Sequence, residues 1–396
     1  LSFCAHFREM FKFAPQLLIM RVYLDNAATT QIDPMVIAAM LPYFEHHYGN
    51  PSSIHSFGRE TRSAIEKARK QVATIFHVSP GEIIFTSGGT EANNMALHCS
   101  VRDLGVTRII SSEIEHHAVT HTAEALKKDC NIQLDYVDLN SDGSVNYENL
   151  EALLKATDAK TLVSLMHANN EIGTMLDIEK VSELCTTYHA FFHCDTVQTI
   201  AHYNLDLQKT KIHFVSCAAH KFHGPKGVGF IYINADAKIK PLIYGGAQER
   251  NLRAGTENLY GIIGLAKALE IAYAELDTVR EHIENLRDYM QAKLEETIPG
   301  IQINSSRDGL YTVLNVNFPA SDKNDLLLFN LDIAGIAVSG GSACSSGTDI
   351  GSHVIARLKR APGTTAVRFS FSKFNSIEEI DFALGKIFEM MPVAAH

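Results

Sequence analysis

Between about Pro34 and Tyr260, short apolar runs of strand length alternate with amphipathic stretches of helical period. The apolar runs predict strands at Ile83–Thr86, Arg108–Ser111, Thr161–Met166, Phe191–Asp195 and Phe214–Cys217. The amphipathic stretches predict helices at Pro34–Tyr43, Thr61–Phe76, Glu91–Asp103, His117–Asp129, Tyr147–Ala156 and Ile178–Tyr188. This alternation predicts an α/β fold with a mainly parallel sheet covered on both faces, whose ligands bind beyond the carboxyl ends of the strands.

The pattern changes near Gly261, where an Ala-, Leu- and Glu-rich helical stretch runs to about Thr297. Short strands (Tyr311–Phe318, Val367–Phe371) and helices (Lys323–Leu331, Ile377–Met390) follow. We expect a large unit over 34–262 and a smaller α+β unit built from 20–33 and 263–396, bridged by the long helix. Residues 1–19 are read as an extension ahead of a working protein that starts near Met20.

Composition is that of an ordinary globular enzyme, with 46% hydrophobic and 20% charged residues. A run of about 18 apolar residues, as a membrane span requires, does not occur. The net charge of −10 argues against a broad nucleic-acid-binding surface, and none is expected. The 7 cysteines are odd in number and scattered, so the expectation is free thiols in a reducing, cytoplasmic setting. Six of them are read as small buried hydrophobes.

Four segments carry candidate chemistry. Lys221 follows an apolar strand, where desolvation frees a neutral amine for nucleophilic work; a solvated loop lysine is the plain alternative. Asp195 ends another apolar strand, and a carboxylate there needs a cation such as a protonated pyridine nitrogen, or else caps the next helix. Ser87-Gly88-Gly89-Thr90 joins a strand to a helix, which suits either an anion nest or a plain capping turn. His116 and His117 follow a third strand and suit ring stacking. Metal binding by these or by the His220/His223 pair is disfavoured, because no complete ligand set has the usual spacing.

The fifth segment, Ser339 to Gly347, holds three glycines, four serines and Cys344. It predicts a mobile polar loop over 339–352 with an exposed thiol, unlike the other six cysteines.

Together these residues resemble the class V aminotransferase family of fold-type I pyridoxal-phosphate enzymes, and within it the cysteine desulfurases of the NifS/IscS type. The resemblance runs from the Tyr23-Leu24-Asp25-Asn26-Ala27-Ala28-Thr29-Thr30 segment to about Pro392. It implies pyridoxal 5'-phosphate as cofactor and L-cysteine as substrate. Lys221 matches the Schiff-base lysine, Asp195 the partner of the pyridine nitrogen, and Gln198 a group near the ring hydroxyl. His116 matches the histidine stacked on the ring. Thr90, His220 and the Gly89 turn match phosphate contacts. Asn170 matches a contact to ring and substrate, and Arg368 the clamp on the substrate carboxylate. Thr256 matches a threonine that reaches the partner subunit's phosphate, which implies a homodimer. Cys344 matches the sulfur acceptor on a long loop, with an iron–sulfur scaffold or tRNA-thiolation protein as the eventual recipient.

Two departures stand out. The family places a phosphate-binding serine three positions before the lysine; here it is Ala218, with Ser87 a candidate substitute. The Phe371-Ser372-Lys373-Phe374 tail also differs from the usual pattern and reads as drift. The competing readings are an aminotransferase or selenocysteine lyase of the same fold, and a cofactor-poor scaffold protein.

Overall fold

The computed structural model describes residues 20–321, 326–340, 352–358 and 360–391. The chain enters through a short strand, Val22–Tyr23 (β1), and then forms two helices, Pro34–Glu45 (α1) and Ser56–Ile75 (α2). Asp33 caps α1 by accepting from Met35 N at 2.8 Å, and Pro34 opens it where no N–H is needed. α2 begins five residues earlier than its periodicity predicts, at Ser56 instead of Thr61, because His55 Nδ1 accepts from Gly58 N and starts the helix.

The large sheet then alternates with its helices: Ile83–Thr86 (β2), Gly89–Leu104 (α3), Arg108–Ser111 (β3), His117–Cys130 (α4), Gln133–Tyr136 (β4), Tyr147–Lys155 (α5), Thr161–Met166 (β5), Ile178–Thr187 (α6), Phe191–Asp195 (β6), Phe214–Ala218 (β7) and Gly229–Ile233 (β8). The strand order is β2-β8-β7-β6-β5-β3-β4. Strands β3 to β7 pair in parallel, and β8 runs antiparallel to both neighbours.

Side chains on successive strand residues point to opposite faces, and the core divides accordingly. Phe85, Ile110, Val163 and Phe230 pack toward α1, α2, α5 and α6. Their neighbours Ile84, Ile109, Leu162 and Ile231 pack toward α3 and α4. Both faces are thus buried, which is why these strands read as unbroken apolar runs.

The long C-terminal stretch is two helices, Leu259–Ala274 (α7) and Leu276–Thr297 (α8), not one. α7 packs on α1 and α2 in the large core, whereas α8 joins the second core. At the corner, the Glu275 carboxylate accepts from Lys373 Nζ at 2.9 Å, and the same ammonium meets Asp33 at 2.7 Å. Lys373 is therefore a three-way tie between α1, the α7–α8 corner and the C-terminal segment. The remaining elements are Gln302–Ile303 (β9), Val313–Phe318 (β10), Leu327–Ile333 (α9), Ile336–Ala337 (β11), His353–Arg357 (α10), Thr365–Ser370 (β12) and Ile377–Met390 (α11). β12, β10 and β9 form an antiparallel sheet backed by α8 and α11, and β1 pairs with β11.

Candidate active site

The chemistry-bearing residues collect at the carboxyl ends of the parallel strands. Asp195 is the last residue of β6 and Met166 the last of β5. Lys221 closes a short turn, Ala219–Lys221, directly after β7. Gly89 and Thr90 open α3, and His116 caps α4. These residues, together with Asn170, Gln198, His220 and Arg368, line one cleft of about 880 Å³, its solvent-open mouth included. That cleft lies where an α/β sheet places its ligands.

Asp195 is buried, and both its oxygens are fixed. Oδ2 accepts from Asn93 Nδ2 at 2.6 Å, and Oδ1 from Val197 N at 3.0 Å. No helix follows Asp195; the Val197 bond caps a turn, so the two readings of this residue meet in one carboxylate. Behind Asp195, His193 Nδ1 pairs with the Ser164 hydroxyl at 2.8 Å, and its Nε2 with Asn93 Oδ1 at 3.1 Å. Burial lowers the His193 pKa to about 4, so the ring is neutral and donates from one nitrogen. Since Asn93 Oδ1 is an acceptor, that nitrogen is Nε2. The chain Ser164, His193, Asn93, Asp195 thus has one sense of donation throughout.

Lys221 Nζ donates to Ala27 O at 2.6 Å and Ala28 O at 3.0 Å. Gln198 Nε2 also donates to Ala27 O, at 3.1 Å. His220 Nδ1 lies 3.2 Å from the Thr29 hydroxyl, and burial, aided by Lys221 and Lys226, brings its pKa down to about 4. His116 is likewise held below its ordinary value by burial, against the pull of Asp195. Its Nδ1 accepts from Ala118 N at 3.0 Å, which leaves the proton of the neutral ring on Nε2.

Arg368 is 1% exposed. Nη1 donates to Asn170 O and Nη2 to Asp25 Oδ1, each at 2.8 Å, while Nε has no acceptor. Also on the cleft wall, the first amides of α3 have no carbonyl within their own helix, which suits an anion. Gly89 is required there because a Cβ would stand 2.7 Å from Val197 Cγ2.

Two expected members are not in the cleft wall. Thr256 is exposed and away from it. Cys344 lies outside the described residues, although both flanks of its segment are tied to the cleft. Arg368 N donates to Ser339 O at 2.7 Å, and His353 Nε2 lies 3.1 Å from Glu115 O. Ser87 does not take the place of the absent serine. It does not line the cleft, and it bonds Glu91 through its backbone N–H at 2.8 Å and through its side chain.

Of the other cysteines, Cys99, Cys185, Cys194 and Cys217 are buried as expected, and burial raises the pKa of each thiol. Cys130 corrects that expectation: it ends α4 and is exposed. Cys4 lies outside the described residues. Among the described residues, no group of three or more His, Cys, Asp or Glu is placed to hold a metal, and no helix is long and apolar enough to cross a membrane.

Sequence reasoning missed Asn93, Asp25, Glu115 and the Ala27 and Ala28 carbonyls. Glu115 is fully buried: Oε1 accepts from Ser112 Oγ at 2.9 Å and Met166 N at 3.0 Å, and Oε2 has no partner. Burial pushes its pKa up to about 8, against the Met166 bond.

A half-buried amine after one parallel strand, a fixed acid ending the next, and a helix N-terminus and a buried guanidinium on the same cleft define an α/β enzyme that handles an anionic, amine-reactive ligand. The chain belongs to the aminotransferase class-V family, whose profile matches residues 22–382. It is 40% identical over 370 residues to the putative cysteine desulfurase IscS 1 of Bacillus subtilis (strain 168), covering 92% of this chain and 96% of the relative. It is 42% identical over 370 residues to the cysteine desulfurase IscS of Dictyoglomus turgidum, covering 92% of each. A solved NifS-like protein superimposes with a TM-score of 0.86 at 39% identity, covering 93% of this chain and 99% of that one.

Proposed function

We propose that this chain is a cysteine desulfurase that removes sulfur from L-cysteine, releases L-alanine and carries the sulfur as a persulfide on Cys344. The observation that carries the reading is the convergence of Lys221, Asp195, His116 and Arg368 on one cleft. The relatives' names give the substrate class.

The residues fit pyridoxal 5'-phosphate. The Gly89 turn admits no Cβ, Asp195 offers a buried carboxylate at the floor of the cleft, and Arg368 keeps an unpartnered Nε. When bound, this cofactor supplies an electron sink for the substrate's Cα. Gly89, Thr90 and His220 would hold its phosphate, Asp195 would keep a proton on the pyridine nitrogen, and Asn170 and Gln198 would serve the ring hydroxyl. His116 would lie beside the ring, where its Nε2–H is placed to donate a proton to the substrate. Lys221 would hold the cofactor, and its amine would serve as the base for the Cα proton. Arg368 clamps the substrate carboxylate. The Cys344 thiolate would attack the substrate sulfur; an S–S bond forms, the C–S bond breaks with its electron pair going to Cβ, and protonation of Cβ gives alanine.

The same reading makes the protein a homodimer. Ile37, Leu41, Phe44 and Tyr48 recur at helical spacing on the outer face of α1 and beyond it, all exposed. Exposed Thr256 then serves the partner's phosphate. The acceptor is an iron–sulfur scaffold or tRNA-thiolation protein.

Incubation with L-cysteine tests the proposal: the Cys344 peptide gains the mass of one sulfur atom and alanine appears in solution. Cys344→Ser loses sulfide release. Full activity in that variant overturns the reading in favour of a lyase.

A further inference from the structure

Residues 24–33 form a strap from the small sheet to the lysine turn. At one end, Ser370 N donates to Leu24 O at 2.8 Å; at the other, Thr30 N donates to His220 O at 2.8 Å. Midway, Ala27 and Ala28 present their carbonyls to Lys221. Asp25 sits on this strap, bridged to Ser370, and its backbone oxygen accepts from Ala28 N at 3.0 Å. Its carboxylate is therefore aimed by backbone on both sides.

That carboxylate is ion-paired with Arg368 at 2.8 Å through one oxygen and one nitrogen. A guanidinium has five N–H donors. Asp25 and the Asn170 carbonyl take one each, which leaves three, including the unpartnered Nε–H. Without a counter-ion, a cation this deeply buried would be costly, and without a fixed plane its fork would not meet a carboxylate squarely. Asp25 supplies both while using only one of the five donors.

We propose that Asp25 is a positioning residue for the substrate's α-carboxylate, acting through Arg368. The inference rests on the desulfurase reading for its substrate. Its test does not depend on sulfur transfer, because L-alanine has the same carboxylate and no sulfur.

The experiment uses the cofactor-loaded enzyme. L-Alanine affinity is read from the change in the cofactor's visible absorbance, beside steady-state rates with L-cysteine. Cysteamine, which has the amine and thiol but no carboxylate, is the control. In Asp25→Ala, the L-alanine Kd and the L-cysteine KM rise about tenfold. kcat stays within about threefold and cysteamine affinity within about twofold. Asp25→Asn keeps an acceptor oxygen and loses the charge, so the L-alanine Kd rises about threefold with cysteamine unchanged. Should Asp25→Ala fail to fold, Asp25→Asn decides by the same two readouts. An unchanged L-alanine Kd, or an equal loss for cysteamine, overturns the proposal and leaves Asp25 a structural residue. If L-alanine affinity falls selectively while Cys344 gains no sulfur, Asp25 keeps its role and the desulfurase reading fails.

Discussion

Asp195 owes its aim to Asn93, which gives it a hydrogen bond of 2.6 Å across 102 residues of sequence. Removing that donor leaves a buried oxygen unsatisfied, a loss of about 1.5–3 kcal/mol for a charged partner. Asn93→Ala should therefore bind pyridoxal 5'-phosphate at least tenfold more weakly, as read by equilibrium dialysis. Glu115 allows a second test. Its folded pKa, about 8, lies above the ordinary carboxyl range in the unfolded chain. The folded state thus keeps a proton that the unfolded state gives up, and stability falls as pH rises through that window. Glu115→Gln cannot ionise. In cofactor-free protein its urea midpoint should match the parent near about pH 4 and exceed it increasingly up to about pH 8. Lys221, Asp195 and His116 were legible in the sequence because each directly follows or ends a strand-like run. Asn93 and Asp25 were not, since an asparagine inside a helix and an aspartate beyond a two-residue strand have no local signature. Their roles arise from contacts with residues far along the chain.

Among the elements, the strands of the large sheet were the most legible. β2, β3, β5 and β6 fall where the apolar runs put them, and β7 is one residue longer. Burial on both faces leaves no ambiguity of period. The edge strand β4, Gln-Leu-Asp-Tyr, carries a polar alternation that a loop could equally show. The α7–α8 corner was invisible, because Ala, Leu and Glu continue through it at full helical propensity. The turn at Glu275 is held from outside by Lys373, a residue almost a hundred positions later. Lys373→Ala would leave Asp33 and Glu275 without their shared cation. Asp33 is buried but Glu275 is partly open to solvent, so the expected loss is about 1–3 kcal/mol, less than for a fully buried pair. A lowered urea midpoint with an unchanged m-value would register it, and Lys373→Arg should recover most of it.

Across the whole molecule, the outer stripe of α1 makes a prediction about assembly. Leu41 is 48% exposed and lies at the centre of the stripe. Leu41→Asp places a charge there without touching the core. Light scattering on the parent should give a dimer and on the variant a monomer at micromolar concentration. With Thr256 serving the partner's phosphate as proposed, cofactor affinity should fall with it. The sequence by itself determined the α/β alternation, the chemical inventory and the family, because each depends on residue types at short spacings that local sterics and hydrophobic period decode. The tertiary structure alone decided which groups face one another: Asn93 with Asp195, Asp25 with Arg368, the Ala27 and Ala28 carbonyls with Lys221, and Lys373 with the α7–α8 corner. Those pairings depend on how the sheet, the strap and the small antiparallel sheet meet in space. No local rule reaches across the tens to hundreds of residues that separate the partners.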